Sequence, residues 1–292
     1  MKISEILNDG KLHLSCELFP PKKGENLPGA LEVVRATAAL SPSFISVTYG
    51  AGGGTREFTA EMARSVRAET GIEALAHMTC VVADRESVKQ TLEQYRACGI
   101  ENILALRGDV PAGMEEQAFR TYRHASDLMD EIRAFGGFAI GGACYPEGHP
   151  EAQNADADID YLKLKMEHGC DFFTTQMFFD NNIFYHFLYR LLAKGVSAPI
   201  IAGIMPIVSE KQVLRTAQLS GTALPRRFLA LVERFGSNPA AMRQAGIAYA
   251  TEQIIDLIAN GVNHIHIYTM NKPDVAAQIF SNLSEIYEGG RA

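Results

Sequence analysis

Tryptophan is missing from this chain, and its five cysteines (Cys16, Cys80, Cys98, Cys144, Cys170) contain no CxxC pair. An odd cysteine count without that spacing excludes a disulfide framework and the common zinc sites. The thiols are expected to be reduced and packed as small hydrophobes in a cytoplasmic protein. No apolar stretch reaches the ~18 residues of a membrane span. The opening MKISEILNDGKLH lacks the apolar core of a secretion signal, so no membrane partner is expected. Basic charge is also short: 27 Lys and Arg stand against 34 Asp and Glu, a formal net charge of −7. That argues against a general nucleic-acid binder, although local Arg, Lys and backbone N–H groups could still hold phosphate.

What is present is best seen at residues 102–111, NILALRGDVP. Ile103, Leu104, Ala105 and Leu106 run without alternation, as in a strand buried on both faces of a parallel sheet. Arg107, Gly108 and Asp109 then place an Arg–Asp pair at the strand's C-terminal end. The pattern recurs. Strands are predicted at 12–19, 44–49, 74–80, 103–106, 138–145, 171–179, 199–206 and 264–271. Helices are predicted between them, at 29–40, 57–69, 84–98, 123–135, 155–168, 181–194 and 208–219, in two segments from 225 to 260, and at 273–287. Asp84 or Ser87 is expected to cap one of these and Gly99 to close it. Strand–helix alternation implies right-handed crossovers and a parallel sheet, and eight units is the count of a (β/α)8 TIM barrel spanning 1–292 as a single domain. A doubly wound open sheet would show a GxGxxG fingerprint after the first strand, where this chain has PPKKGE.

In a barrel, chemistry collects at the C-terminal strand ends. Those ends offer Glu17, Thr48, Tyr49, His77, Thr79, Arg107, Asp109, Tyr145, Glu147, His149, Thr174, Gln176, Tyr268, Thr269 and Asn271. Glu17 is the sharpest candidate, because it lies among Leu14, Cys16, Leu18 and Phe19. A carboxyl in apolar surroundings holds its proton toward neutral pH, which suits a general acid; the competing reading is a solvated Glu17 paired with Lys22 or Lys23. Gly50 to Gly54 could cradle a phosphate or could be a flexible turn. His77, His149 and Cys80 match no zinc spacing, so no metal is expected. His124, His168 and His186 are expected to face solvent, and the Phe-rich run at 172–187 to be core. By themselves the residues define a barrel enzyme with one acid, one Arg–Asp pair and stacking aromatics, without naming its ligand.

The ordered set CELFPPK (16–22), FISVTYGAGGG (44–54), AHMTC (76–80), NILALRGDVP (102–111), CYPEGHPEA (144–152), TTQMFFD (174–180), AGIMPI (202–207) and IHIYTMN (265–271) resembles the bacterial 5,10-methylenetetrahydrofolate reductases across nearly the whole chain. The resemblance implies an FAD-containing barrel. NADH would give a hydride to the flavin, and the reduced flavin would pass it to 5,10-methylenetetrahydrofolate, yielding 5-methyltetrahydrofolate for methionine synthesis. It implies that Glu17 protonates the folate N10 so that the ring opens to an iminium, and that Asp109 contacts flavin and pterin. The implied FAD contacts are Thr48, Tyr49, Ala51, His77, Arg107, Gly108, Asp109, His124, Ala125, Tyr145, His149, Ala152, Asp158 and Lys165. The implied folate contacts are Gln176, Gln212 and Lys272, with Tyr268 nearby, and relatives form homo-oligomers. Tyr161, Leu164, Thr216 and Lys272 depart from the family's pattern.

Two other readings stand beside it. A non-catalytic flavin- or folate-binding barrel would have no need of a buried acid. A barrel lyase or aldolase would want a Schiff-base Lys at a strand end, and Lys272, just past the eighth strand, is the nearest.

Overall fold

The computed structural model describes residues 1–22, 27–50, 55–213, 216 and 222–290. Eight parallel strands among them close into one barrel in sequence order: β1 (His13–Leu18), β2 (Phe44–Val47), β3 (Glu73–Thr79), β4 (Asn102–Leu106), β5 (Ala139–Cys144), β6 (Phe172–Thr175), β7 (Ile200–Ile204) and β8 (His264–Tyr268). Closure is made by β1, which pairs with both β2 and β8. Glu17 thereby lies level with Ser46 on one side and Tyr268 on the other. This is the predicted (β/α)8 architecture.

Pleating divides each strand between two environments. Outward residues such as Leu14, Cys16, Leu18, Ile45, Val47, Ala76, Met78, Ile103 and Ala105 join the shell packed under the helices. Inward residues Phe44, Leu75, Leu104, Phe172 and Ile201 form a separate apolar layer low in the barrel. Ile3 and Leu7 complete that layer from below, where the short helix Ile3–Ile6 plugs the barrel floor. Asn102, fully buried at the start of β4, fastens the plug. Its Oδ1 accepts from Ile3 N–H at 2.7 Å, and its Nδ2 donates to Met1 and Ala74 carbonyls at 3.3 Å. Outside, the Met1 ammonium contacts Glu73 and Glu101, with Arg67 reaching the same two carboxylates.

The helix ends follow local chemistry. Asp84 accepts from Ser87 N–H and Ser87 Oγ accepts from Asp84 N–H, a reciprocal cap at the start of Arg85–Ala97. Gly99 just past that helix has φ +71, as a left-handed closing residue requires. The helix expected from 123 starts at Ala125, because Asp127 takes the Arg123 and His124 N–H groups and holds them outside the first turn. The sixth strand is shorter than predicted. The Phe-rich run continues beyond Thr175, but Gln176 turns its own side chain onto Met177 N–H, and Asp180 caps the helix Asn181–Ala193. Phe172, Phe173, Phe178, Phe179, Phe184 and Phe187 are nonetheless all buried. The turn at 51–54, residues 23–26 and most of the later part of the 208–219 segment lie outside the described residues.

Cys16, Cys80, Cys144 and Cys170 are buried free thiols and Cys98 is half-buried, as expected of packed hydrophobes. Among the described residues, no helix is long and apolar enough to cross a membrane.

Candidate active site

Above the apolar layer the barrel interior turns polar. His266 is buried between two hydroxyls, with Ser15 Oγ 2.7 Å from Nδ1 and Ser46 Oγ 3.0 Å from Nε2. Its ring stacks on Phe44 below (centroids 5.7 Å) and meets Tyr268 edge-on above (5.4 Å). Burial pushes its imidazole down to about 3, so it is neutral. Tyr268 donates its hydroxyl to the Thr175 carbonyl at 2.5 Å. A Cβ on Gly203 would stand 2.6 Å from the Tyr268 ring and from that same carbonyl, so only glycine at 203 leaves room for this ring.

Glu17 sits at the top of β1 with 7% of its surface exposed. Thr269 Oγ1 donates to its backbone carbonyl, and Asn271 exchanges two hydrogen bonds with the Phe19 backbone, fixing the strand end. Burial pushes the Glu17 carboxyl up to about 8, so the acid is protonated at neutral pH. The alternative of a solvated Glu17 is excluded by its position. Glu17 Oε2 lies 3.8 Å from Nε2 of His77, itself 6% exposed and driven down to about 3 by burial. His77 Nε2, Thr79 Oγ1 and Thr174 Oγ1 are buried polar atoms without hydrogen-bond partners among the described residues. Native structures rarely leave such groups unmatched without a functional reason.

A second group of charges gathers at the ends of β4 and β5. Arg107 is engaged by Glu151 through both terminal nitrogens (2.5 and 2.7 Å), not by Asp109. The predicted Arg–Asp pair is therefore corrected. Asp109 is exposed, because Gly108 turns the chain at φ +83, at a place where a Cβ would stand 2.8 Å from Thr79 and Val81. Tyr145 lies in the field of Asp109, Arg107 and Asp158, and meets His149 edge-on at 4.6 Å. His149 accepts from Glu151 N–H at Nδ1, and its backbone N–H donates to the Asp158 carboxylate. Burial, followed by the charges of Arg107 and Lys165, lowers its pKa. Lys165 donates to the Ala143 carbonyl at 2.8 Å and has its pKa lowered by burial. Arg107, His149 and Lys165 thus bring cationic or donor groups to one region.

Other predicted residues fall less centrally. Thr48 ties its N–H to Leu18, and Tyr49 turns its phenol outward to Thr91. His124 is exposed as a helix cap, with Ala125 buried behind it and Ala152 in the turn after His149. Ala51 lies outside the described residues. Gln176 is half-buried, whereas Gln212 spends its amide on its own loop, donating to Pro206 and accepting from Val208. Lys272 is exposed at the start of Pro273–Asn282. Glu147 accepts from Ala223 N–H. His186 faces solvent, while His168 is partly covered, 2.8 Å from the Asp130 carboxylate. Tyr161 and Leu164 are exposed and Thr216 is buried. His266, Thr175 and Glu151 were missed. The alternation in HIHIY, which turns His264 and His266 to the same face, is the signal that could have found the first.

Comparison with known proteins bears on this arrangement. The family model for methylenetetrahydrofolate reductase matches residues 2–284. The chain belongs to the methylenetetrahydrofolate reductase family.

Within that family it is 32% identical to 5,10-methylenetetrahydrofolate reductase of Escherichia coli, over 94% of this chain and 91% of that protein. It is 36% identical to methylenetetrahydrofolate reductase (NADH) 1 of Zea mays, over 98% of this chain and 51% of that one. The chain thus spans about half the length of the plant relatives and most of the bacterial ones. A solved structure of a Clostridium thermocellum protein that binds two copies of 5-methyl-5,6,7,8-tetrahydrofolic acid superposes with TM-score 0.69 at 15% identity, covering 99% of both chains. At that identity the likeness speaks for the fold.

Proposed function

We propose that this chain is a flavin-dependent reductase that converts 5,10-methylenetetrahydrofolate to 5-methyltetrahydrofolate with NADH as hydride donor. The observation that carries the reading is the burial of Glu17, which pushes its carboxyl up to about 8, at the mouth of a barrel whose family acts on this substrate. A barrel that only bound flavin or folate would gain nothing from burying an acid there.

The residues present suit FAD. Arg107, His149 and Lys165 offer positive charge and donors to a diphosphate, and Gly108 beside them has no room for a side chain. Thr48, Tyr49, Ala51, His77, Asp109, His124, Ala125, Tyr145, Ala152 and Asp158 complete the proposed contacts. When bound, FAD would supply hydride transfer from NADH to the folate.

The chain's own task is the proton. Glu17 gives its proton to N10 of the folate, which opens the five-membered ring to an iminium and makes the carbon a better hydride acceptor. Gln176, Gln212, Tyr268 and Lys272 orient the pterin and its tail, and Asp109 contacts the pterin's donors. The barrel is a single domain working in the cytoplasm as a homo-oligomer.

The test is anaerobic stopped-flow absorbance on the purified protein. Flavin absorbance that bleaches with NADH and returns with methylenetetrahydrofolate is the expected result. Protein that binds flavin or folate without either change would be the non-catalytic barrel.

A further inference from the structure

Glu17 and His77 face each other across the top of the barrel interior, one from β1 and one from β3, both more than nine-tenths buried. At 3.8 Å their near atoms stand just beyond hydrogen-bond reach, and His77 Nε2 has no other partner among the described residues. Of the other polar groups at the mouth, Thr79 Oγ1 and Thr174 Oγ1 are also without partners among the described residues, whereas those of β8 are engaged. His266 lies between Ser15 and Ser46, and Tyr268 gives its hydroxyl to Thr175. The separation exceeds hydrogen-bond reach by only a few tenths of an ångström, and among the described residues His77 Nε2 has no bond to break in closing it.

Resting on the activity proposed above, we infer that His77 is the positioning partner of Glu17. The Nε2–H of a neutral imidazole donates to Glu17 Oε2, leaving Oε1 as the atom that carries the proton. In the reaction the Oε1–H bond breaks and an N–H bond forms on the folate N10. The carboxylate left behind is held by the unchanged Nε2–H of His77, and water at the mouth later restores the proton. His77 never titrates. It makes the acid easier to deprotonate and fixes which oxygen does the donating. The titratable groups that face the pair are Tyr268 and His266 from β8, with Cys144 and Tyr145 of β5 beyond Tyr268.

The test reads the pair directly in the protein as purified. Nitrogen-15 histidine NMR of the unsubstituted protein should find His77 protonated on Nε2 and bare on Nδ1. An infrared pH titration follows the carbonyl stretch of protonated Glu17, identified by its absence in Glu17→Gln. Removing a donor from a carboxylate raises its pKa, so His77→Leu should move the midpoint up by about one pH unit. His77→Gln, which restores an N–H near the same place, should return it toward the original value. An Nδ1–H tautomer, an unmoved midpoint in His77→Leu, or a shift in His77→Gln as large as in His77→Leu would each overturn the pairing. Neither measurement uses folate. Failure to reduce methylenetetrahydrofolate would therefore refute the proposed activity while the titration still decides the pair.

Discussion

The floor and the mouth of the barrel are built from similar residue types and treat them oppositely. At the floor, Asn102 has both ends of its amide engaged, and the Met1 ammonium, Arg67, Glu73 and Glu101 neutralise one another. At the mouth, among the described residues, His77, Thr79 and Thr174 each keep a buried polar atom unmatched, and burial alone raises the Glu17 carboxyl. Satisfied polar groups add stability, whereas unsatisfied ones cost it, so they persist where a ligand completes them. The floor is organised for folding and the mouth for chemistry.

The sharpest way to break that contrast is Glu17→Gln. Reoxidation of the reduced flavin by methylenetetrahydrofolate should slow by ~10²–10⁴-fold, the usual loss with a general acid, while bleaching by NADH persists. In the unsubstituted protein the folate step should decline as pH rises through about 8, where Glu17 gives up its proton. Stopped-flow measurement of each half-reaction against pH checks both; a folate step that is flat through pH 8 would remove Glu17 from the role.

At the floor the expected loss is in stability. Asn102→Leu strands the Ile3 N–H and the Ala74 carbonyl, and should cost roughly 2–4 kcal/mol in urea unfolding. Activity per folded molecule should be unchanged, and a lowered turnover number with normal stability would contradict the division.

Glu17→Gln should also stabilise the fold, and only at high pH. The folded pKa of about 8 lies above the ordinary glutamate value of 4.5, so the folded state binds the extra proton between them and stability falls as pH rises through that window. Gln carries no such penalty. The variant should gain about 1–3 kcal/mol at pH 8, less than the full shift because a buried amide is also under-bonded, and the gain should vanish below pH 4.5. Thermal melts across that range would show it, and a gain independent of pH would argue for packing instead.

The smallest effect is expected at Glu151, which is largely exposed while gripping Arg107. Glu151→Gln should change stability by no more than about 0.5 kcal/mol, since exposed ion pairs contribute little. It should tighten flavin binding, because Arg107 no longer shares its charge with a carboxylate; fluorescence titration of the apoprotein measures this, and weaker binding would make Glu151 a support for Arg107.

Much of this was legible in the sequence because periodicity reports burial. Eight apolar runs with polar ends gave the barrel, and Glu17 stood out because a carboxylate among Leu14, Cys16 and Leu18 has no ordinary explanation. What could not be read was partnership across strands. Arg107 is two residues from Asp109 and 44 from Glu151, yet the turn at Gly108 sends Asp109 to solvent. The facing of Glu17 and His77 depends on barrel closure, which no local window contains. Nor could position alone show that Tyr49, just past β2 where the chain has left the pleat, brings its phenol to Thr91.

Gly203 and Tyr268 have a consequence for how such a chain can drift over time. The space where a side chain at 203 would start is filled by the ring of 268 and the carbonyl of Thr175. A first change at 203 collides with two neighbours, and a first change to a smaller residue at 268 opens a hole and orphans the carbonyl that its hydroxyl serves. Neither step is passable alone. The two positions, 65 apart in the chain, should be inherited together, so lineages that alter one will be found to have altered the other.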